Sequence, residues 1–216
     1  MLPDSPFYAI LDTGYVPKEQ WIEKFKALVN GGSKLLQVRA KTESQQQRKE
    51  LLASVLGAKK SLPAEIQPEI IINDDIELCL EFGDVGLHIG QDDTPPEEAR
   101  ERIGPTKILG LSTHSKEQID KALSYKDGIL SYFAVGPIFP TQTKPDYKAV
   151  GLELIDYATA KKPAIPFYCI GGINRENVSQ VITAGAKRVV TVSDVLLATD
   201  TSKAVSQTIS RIRNEP

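Results

Sequence analysis

IIINDDIELCLEFGDVGLHIG, Ile70–Gly90, holds three structural elements in one short stretch. It opens on a β-branched run, IIIN (Ile70–Asn73), and closes on a second apolar run, GLHIG (Gly86–Gly90). Between them Asp74–Phe82 has helical spacing, with Gly83 as its stop. The runs are nearly continuous rather than strictly alternating, which marks parallel strands covered on both faces. A strand, a helix and a strand in succession form a βαβ step.

The alternation extends outward from this step. Upstream lie FYAIL (Phe7–Leu11) and LLQVR (Leu35–Arg39). Downstream lie ILGLS (Ile108–Ser112), YFAVG (Tyr132–Gly136), FYCIG (Phe167–Gly171) and RVVTVS (Arg188–Ser193). Between strands, Glu19–Asn30 places Trp21, Ile22, Phe25, Leu28 and Val29 on one helical face. Gln45–Lys60, Glu97–Ile103, Lys116–Leu123, Leu152–Ala160 and Asn177–Ala184 read similarly. Ser115 with Gln118, and Asn174 before Glu176, mark helix starts, while Gly31 and Gly185 mark helix ends. Eight such repeats predict one α/β domain over residues 1–216, a (β/α)8 TIM barrel. A doubly wound open sheet is the alternative, but it usually needs fewer strands. A barrel needs about 200 residues, so little chain is left for insertions. SLPAEIQP (Ser61–Pro68) is short and reads as a loop rather than a linker.

Twenty-six basic and 28 acidic residues leave a net charge of −2, with no field to gather nucleic acid. Any phosphate must therefore be held by local donors, which points to small phosphorylated ligands. No stretch approaches the roughly 18 apolar residues that cross a bilayer. The N-terminus has no basic region followed by a long apolar run, so the expected location is cytoplasmic, without a membrane partner. Cys79 and Cys169 lie in apolar surroundings and read as buried thiols. Association into a homo-oligomer is left open.

In a barrel, chemistry gathers at the strand C-termini. Gln37, Arg39 and Lys41 alternate at the end of strand two, so an extended chain aims all three one way. Inside a barrel those charges require acidic or anionic partners; a solvated strand end is an equally weighted reading. Asn73-Asp74-Asp75 and Gln91-Asp92-Asp93 end strands three and four. Clustered carboxylates of this kind suit Mg²⁺, although Asp74 or Asp75 also suits a helix cap. His88 and His114 invite acid–base roles, but packing or a backbone hydrogen bond is the plainer expectation for His88. Ser115 reads as a cap and Ser112 as the better site candidate. GPIFPTQTK (Gly136–Lys144) joins stiffening prolines to Thr141, Thr143 and Lys144, donors suited to phosphate. Gly171-Gly172 before a helix, and Val192-Ser193 ending the last strand, stand where barrels often bind phosphate.

QVRAK, NDD, HIGQDD, GLSTHS, GPIFPTQTK with Gly151, GGIN and VVTVS occur in an order and spacing that resemble thiamine phosphate synthases, from Phe7 to about Leu197. The resemblance implies condensation of hydroxymethylpyrimidine diphosphate with hydroxyethylthiazole phosphate, giving thiamine phosphate and pyrophosphate, with Mg²⁺. It implies that Gln37, Arg39, Lys41 and Asn73 bind the pyrimidine diphosphate. It implies Asp74 and Asp93 as magnesium ligands, Ser112 as a pyrimidine contact and Lys144 as a diphosphate contact. Thr141, Thr143, Gly172, Val192 and Ser193 match the thiazole-phosphate side. Arg39, Lys41, Ser112 and Lys144 are the implied catalytic groups, in a dissociative reaction where pyrophosphate leaves before the thiazole nitrogen attacks. Ala40 and Asp75 depart from the family pattern, in which glutamate and arginine are common at these places. A thiazole tautomerase of the same fold, and a non-catalytic thiamine-phosphate sensor, are the alternatives. Thr141, Thr143, Lys144 and Asp93 weigh against the tautomerase.

Overall fold

The computed structural model describes residues 2–142 and 148–214. Four strands form the first half of a closed barrel: β1 (Phe7–Asp12), β2 (Leu35–Arg39), β3 (Glu69–Asn73) and β4 (Val85–Ile89). The second half is β5 (Leu109–Thr113), β6 (Tyr132–Val135), β7 (Phe167–Cys169) and β8 (Val189–Thr191). Neighbours run parallel in chain order, and the barrel closes where Phe7, Tyr8 and Ala9 pair with Val189, Val190 and Thr191.

The helices follow the strands: α1 (Trp21–Asn30), α2 (Gln45–Lys60), α3 (Ile76–Glu81) and α4 (Pro96–Ile103). The rest are α5 (Lys116–Ser124), α6 (Glu153–Ala160), α7 (Val178–Thr183), α8 (Ser193–Leu196) and α9 (Thr201–Asn214). Trp21, Phe25, Leu28 and Val29 are buried on α1, as their spacing predicts. Ser44 and Gln47 form a reciprocal capping box at α2, and the Ser115 side chain accepts from the Gln118 N–H at α5.

Alternation along β1 sends Phe7, Ala9 and Leu11 toward the helices and leaves Tyr8 and Ile10 lining the barrel mouth. Three tyrosines stand among the aliphatic side chains of the interior. Tyr8, Tyr132 and Tyr168 meet edge to face with ring centroids 5.3–5.6 Å apart. Each such pair contributes about 0.5–1.5 kcal/mol beyond burial. Gly110 is the complement of this cluster, because a Cβ there would lie 2.1 Å from the Tyr132 ring.

Most element ends fall within two residues of their places in the sequence reading, and the departures with a structural consequence lie in β8, α3 and α9. The last strand stops at Thr191, because Val192 turns to φ −115°, ψ −81° and Ser193 opens α8. α3 stops at Glu81 with Phe82 as its cap, so Gly83 is not the terminator. α9 was absent from that reading although Ala204, Val205, Thr208, Ile209 and Ile212 form a buried stripe. It packs tightly on the end of α1, where a Cβ on Gly31 would lie 2.6 Å from Val205 Cβ.

Candidate active site at the barrel mouth

A cavity of about 460 Å³ opens at the C-terminal ends of the strands. Gln37, Arg39 and Lys41 all line it; alternation along β2 accounts for Gln37 and Arg39, whereas the strand stops at Arg39 and Lys41 reaches the cavity from the bend that follows. The chain supplies the acids those cations need. Arg39 Nη1 donates to Asp12 Oδ2 at 2.6 Å, and Asp12 is only 2% exposed. Lys41 pairs with Asp74. Asp12 ends β1 in FYAILD and was not among the sequence candidates; a carboxylate closing an apolar strand was the available signal.

Asn73, Asp74, Asp92 and Asp93 line the cavity from the ends of β3 and β4. Asp74 sits at φ +63°, a left-handed conformation that aspartate tolerates better than most residues. Its backbone N–H donates to the His88 carbonyl at 2.8 Å. Asp75 is the helix cap: its carboxylate accepts from the Leu78 N–H and lies 3.6 Å from Arg48, so it does not face the cavity. Asp93 is not a helix cap and instead accepts from the Gly90 N–H at 2.7 Å. Asp74 and Asp93 are close enough to share a hydrogen bond. Burial raises the Asp74 carboxyl, but the hydrogen bond and charge of Lys41 outweigh it, leaving the group below its ordinary value. Asp93 is shifted up by burial and by the Asp74 charge, despite the opposing Gly90 N–H.

Ser112, at the end of β5, is 8% exposed and lies 2.9 Å from His88 Nε2. The His88 ring nitrogens meet the side chains of Ser112 and Tyr132, and its ring stacks on Tyr132, the packing role expected of it. His114 Nδ1 meets the Gly136 carbonyl. Thr141 lines the cavity from the loop after β6; Thr143 and Lys144 lie outside the described residues.

The ends of β7 and β8 bring Gly172, Val192 and Ser193 to the same mouth. Gly172 has φ +64°, and a Cβ on it would lie 2.6 Å from the Pro140 carbonyl oxygen. Glycine thus lets the β7 loop lie against the β6 loop. Among the described lining residues, the cations Arg39 and Lys41 face three carboxylates, Asp74, Asp92 and Asp93. A polyphosphate in this cavity therefore requires further positive charge.

The chain resembles known proteins over nearly its whole length. The family model described as thiamine monophosphate synthase matches residues 7–195. A thiamine-phosphate synthase of Shouchella clausii (strain KSM-K16) is 36% identical over 207 residues, covering 95% of both chains. One from Koribacter versatilis (strain Ellin345) is 40% identical over 196 residues, covering 88% of each. The solved structure of a thiamine phosphate pyrophosphorylase from Pyrococcus furiosus superposes with a TM-score of 0.80 at 26% identity, covering 95% of this chain and 96% of that one. With the family model spanning all eight strands and relatives matching over 88–95% of its length, the chain belongs to the thiamine monophosphate synthase family.

Proposed function

We propose that the protein is a Mg²⁺-dependent thiamine phosphate synthase that joins hydroxymethylpyrimidine diphosphate to hydroxyethylthiazole phosphate and releases pyrophosphate. The observation that carries this reading is the convergence of Gln37, Arg39, Lys41, Asn73, Asp74, Asp93, Ser112, Thr141, Gly172, Val192 and Ser193 on one cavity. These are residues that the family resemblance assigns to the two substrates and the metal, and they come from seven different strand ends.

Two carboxylates close enough to share a hydrogen bond in a cavity short of positive charge suit a hard divalent cation. Mg²⁺ is commonly held by one or two protein carboxylates plus substrate phosphates and water, so Asp74 and Asp93 form an adequate donor set. Bound there, it would neutralise charge on the diphosphate leaving group. Arg39 and Lys41 would turn from Asp12 and Asp74 to phosphate oxygens, and Lys144 would add a third cation on the leaving group. Asn73 would donate to the same diphosphate, while Gln37 and Ser112 would hold the pyrimidine ring. On the opposite side, Gly172, Val192 and Ser193 would bind the thiazole phosphate through backbone N–H groups, with Thr141 and Thr143 adding hydroxyls. Departure of pyrophosphate before attack asks the protein for charge neutralisation and orientation rather than acid–base chemistry.

The deciding experiment incubates the protein with both substrates and Mg²⁺ and measures pyrophosphate and thiamine phosphate. Stoichiometric formation of the two is expected. Isomerisation of the thiazole without pyrophosphate would identify a tautomerase, and binding without turnover would identify a sensor.

A further inference from the structure

In the cavity floor a chain of polar side chains crosses the barrel interior. Gln37 Nε2 donates to the Tyr8 hydroxyl at 2.8 Å, and the Tyr8 and Tyr132 hydroxyls are 2.9 Å apart. The Tyr132 hydroxyl lies 2.9 Å from His88 Nδ1, and His88 Nε2 lies 2.9 Å from Ser112 Oγ. All five residues are buried; Gln37, Tyr8, His88 and Ser112 form part of the cavity lining and Tyr132 lies behind them, with Gln37 and Ser112 as the two ends of the chain.

A hydroxyl carries one proton, so each link dictates the next. Tyr8 accepts from Gln37 and must donate onward to Tyr132. Tyr132, having accepted, must donate to His88 Nδ1. That nitrogen is then the acceptor, which puts the ring proton on Nε2, facing Ser112 Oγ. Ser112 accepts it, and its own proton is left for the cavity. At the other end, Gln37 Oε1 has no partner among the described residues and remains an acceptor. Burial makes the sequence all-or-none, because reversing one link leaves two donors or two acceptors facing each other out of reach of water.

We propose that this chain fixes the hydrogen-bonding polarity of the cavity floor, with Ser112 as donor, Gln37 Oε1 as acceptor, and Tyr8, Tyr132 and His88 as positioning residues. That polarity selects an amino-substituted pyrimidine over its oxo counterpart. An aminopyrimidine offers an N–H to Gln37 and a ring-nitrogen lone pair to Ser112. Replacing the amino group by oxo turns the donor into an acceptor and places a proton on the ring. The identity of the ring rests on the synthase reading, whereas the polarity itself does not.

Two measurements on the full-length protein test it. Nitrogen-15 NMR of the imidazoles reads the tautomer directly, the His88 signals being assigned by their loss in a His88→Gln variant. The Nε2–H tautomer is expected near neutral pH, and the Nδ1–H tautomer would overturn the proposal. Pyrophosphate release is then compared for the amino substrate and its oxo analogue. Wild type should favour the amino form by at least about 100-fold in kcat/KM, and Tyr132→Phe should lower that preference by roughly tenfold, the equivalent of one hydrogen bond. The thiazole KM should stay within about twofold. A merely structural role for Tyr132 would slow both pyrimidines alike, and an unchanged ratio in the variant refutes the assignment. Should Tyr132→Phe fail to fold, Tyr8→Phe interrupts the same chain one link earlier. If wild type releases no pyrophosphate from the amino substrate, the synthase reading fails, while the His88 tautomer still decides the polarity.

Discussion

Replacing Gly172 by alanine separates the two substrate sites with a single methyl group. Gly172 sits at φ +64°, where an L-residue costs about 1–2 kcal/mol more than glycine. The added Cβ would also lie 2.6 Å from the Pro140 carbonyl oxygen and 2.7 Å from Phe139 Cβ. Backbone cannot yield to so close a contact as a flexible side chain can, so the β7 loop, the β6 loop or both must move. The move would displace the Gly172 N–H and Thr141, both assigned to the thiazole phosphate. Losing one charge-assisted hydrogen bond, at about 1.5–3 kcal/mol, should raise the thiazole KM by roughly 10- to 150-fold. Gln37, Arg39, Lys41 and Asp93 stand on other strand ends, and of the groups assigned to the pyrimidine substrate only Lys144 follows Thr141 in sequence after β6, so the pyrimidine KM should rise clearly less than the thiazole KM. Steady-state pyrophosphate release, with each substrate varied at saturating concentrations of the other, measures both constants. Circular dichroism and a thermal melt check that the barrel persists. Equal increases in the two KM values, in a folded variant, would refute the division of the cavity into two phosphate sites.

Asp93→Ala should reduce turnover at least about 100-fold with little loss of stability, since it removes one of two metal carboxylates; full activity of the variant, or of wild type in excess chelator, contradicts the assignment. Lys144→Ala should lower kcat by about 10²–10³ while thiazole phosphate still binds, as expected when one group stabilising a leaving anion is lost. Any thiazole isomerisation would be untouched by that change, so both reactions are assayed on wild type and variant side by side. Ser44→Ala removes the α2 capping box, whose hydroxyl accepts from the Gln47 N–H. It should destabilise the protein by about 1 kcal/mol and lower Tm by roughly 2–4 °C without altering either KM.

The barrel was legible in the sequence because its evidence is local. Parallel strands buried on both faces are written as apolar runs, and IIIN, GLHIG and YFAVG each appear as strands within a residue or two of their expected ends. The caps at Ser115 and the apolar face of α1 were equally plain, since both depend on neighbours a few positions away. Strand alternation also accounts for the shared direction of Gln37 and Arg39 into the cavity, while Lys41, past the strand end at Arg39, lines it from a bend that alternation does not describe. Partnership across the barrel could not be read in this way. That Asp12 rather than a ligand answers Arg39, that Asp75 caps while Asp74 faces the cavity, and that His88 bridges Tyr132 and Ser112 all depend on residues distant in sequence. Ser112 and His88 are 24 positions apart, and Tyr8 and Tyr132 are 124 apart. Periodicity states which way a side chain points. Only barrel closure, which sets the register between strands, decides what it meets there.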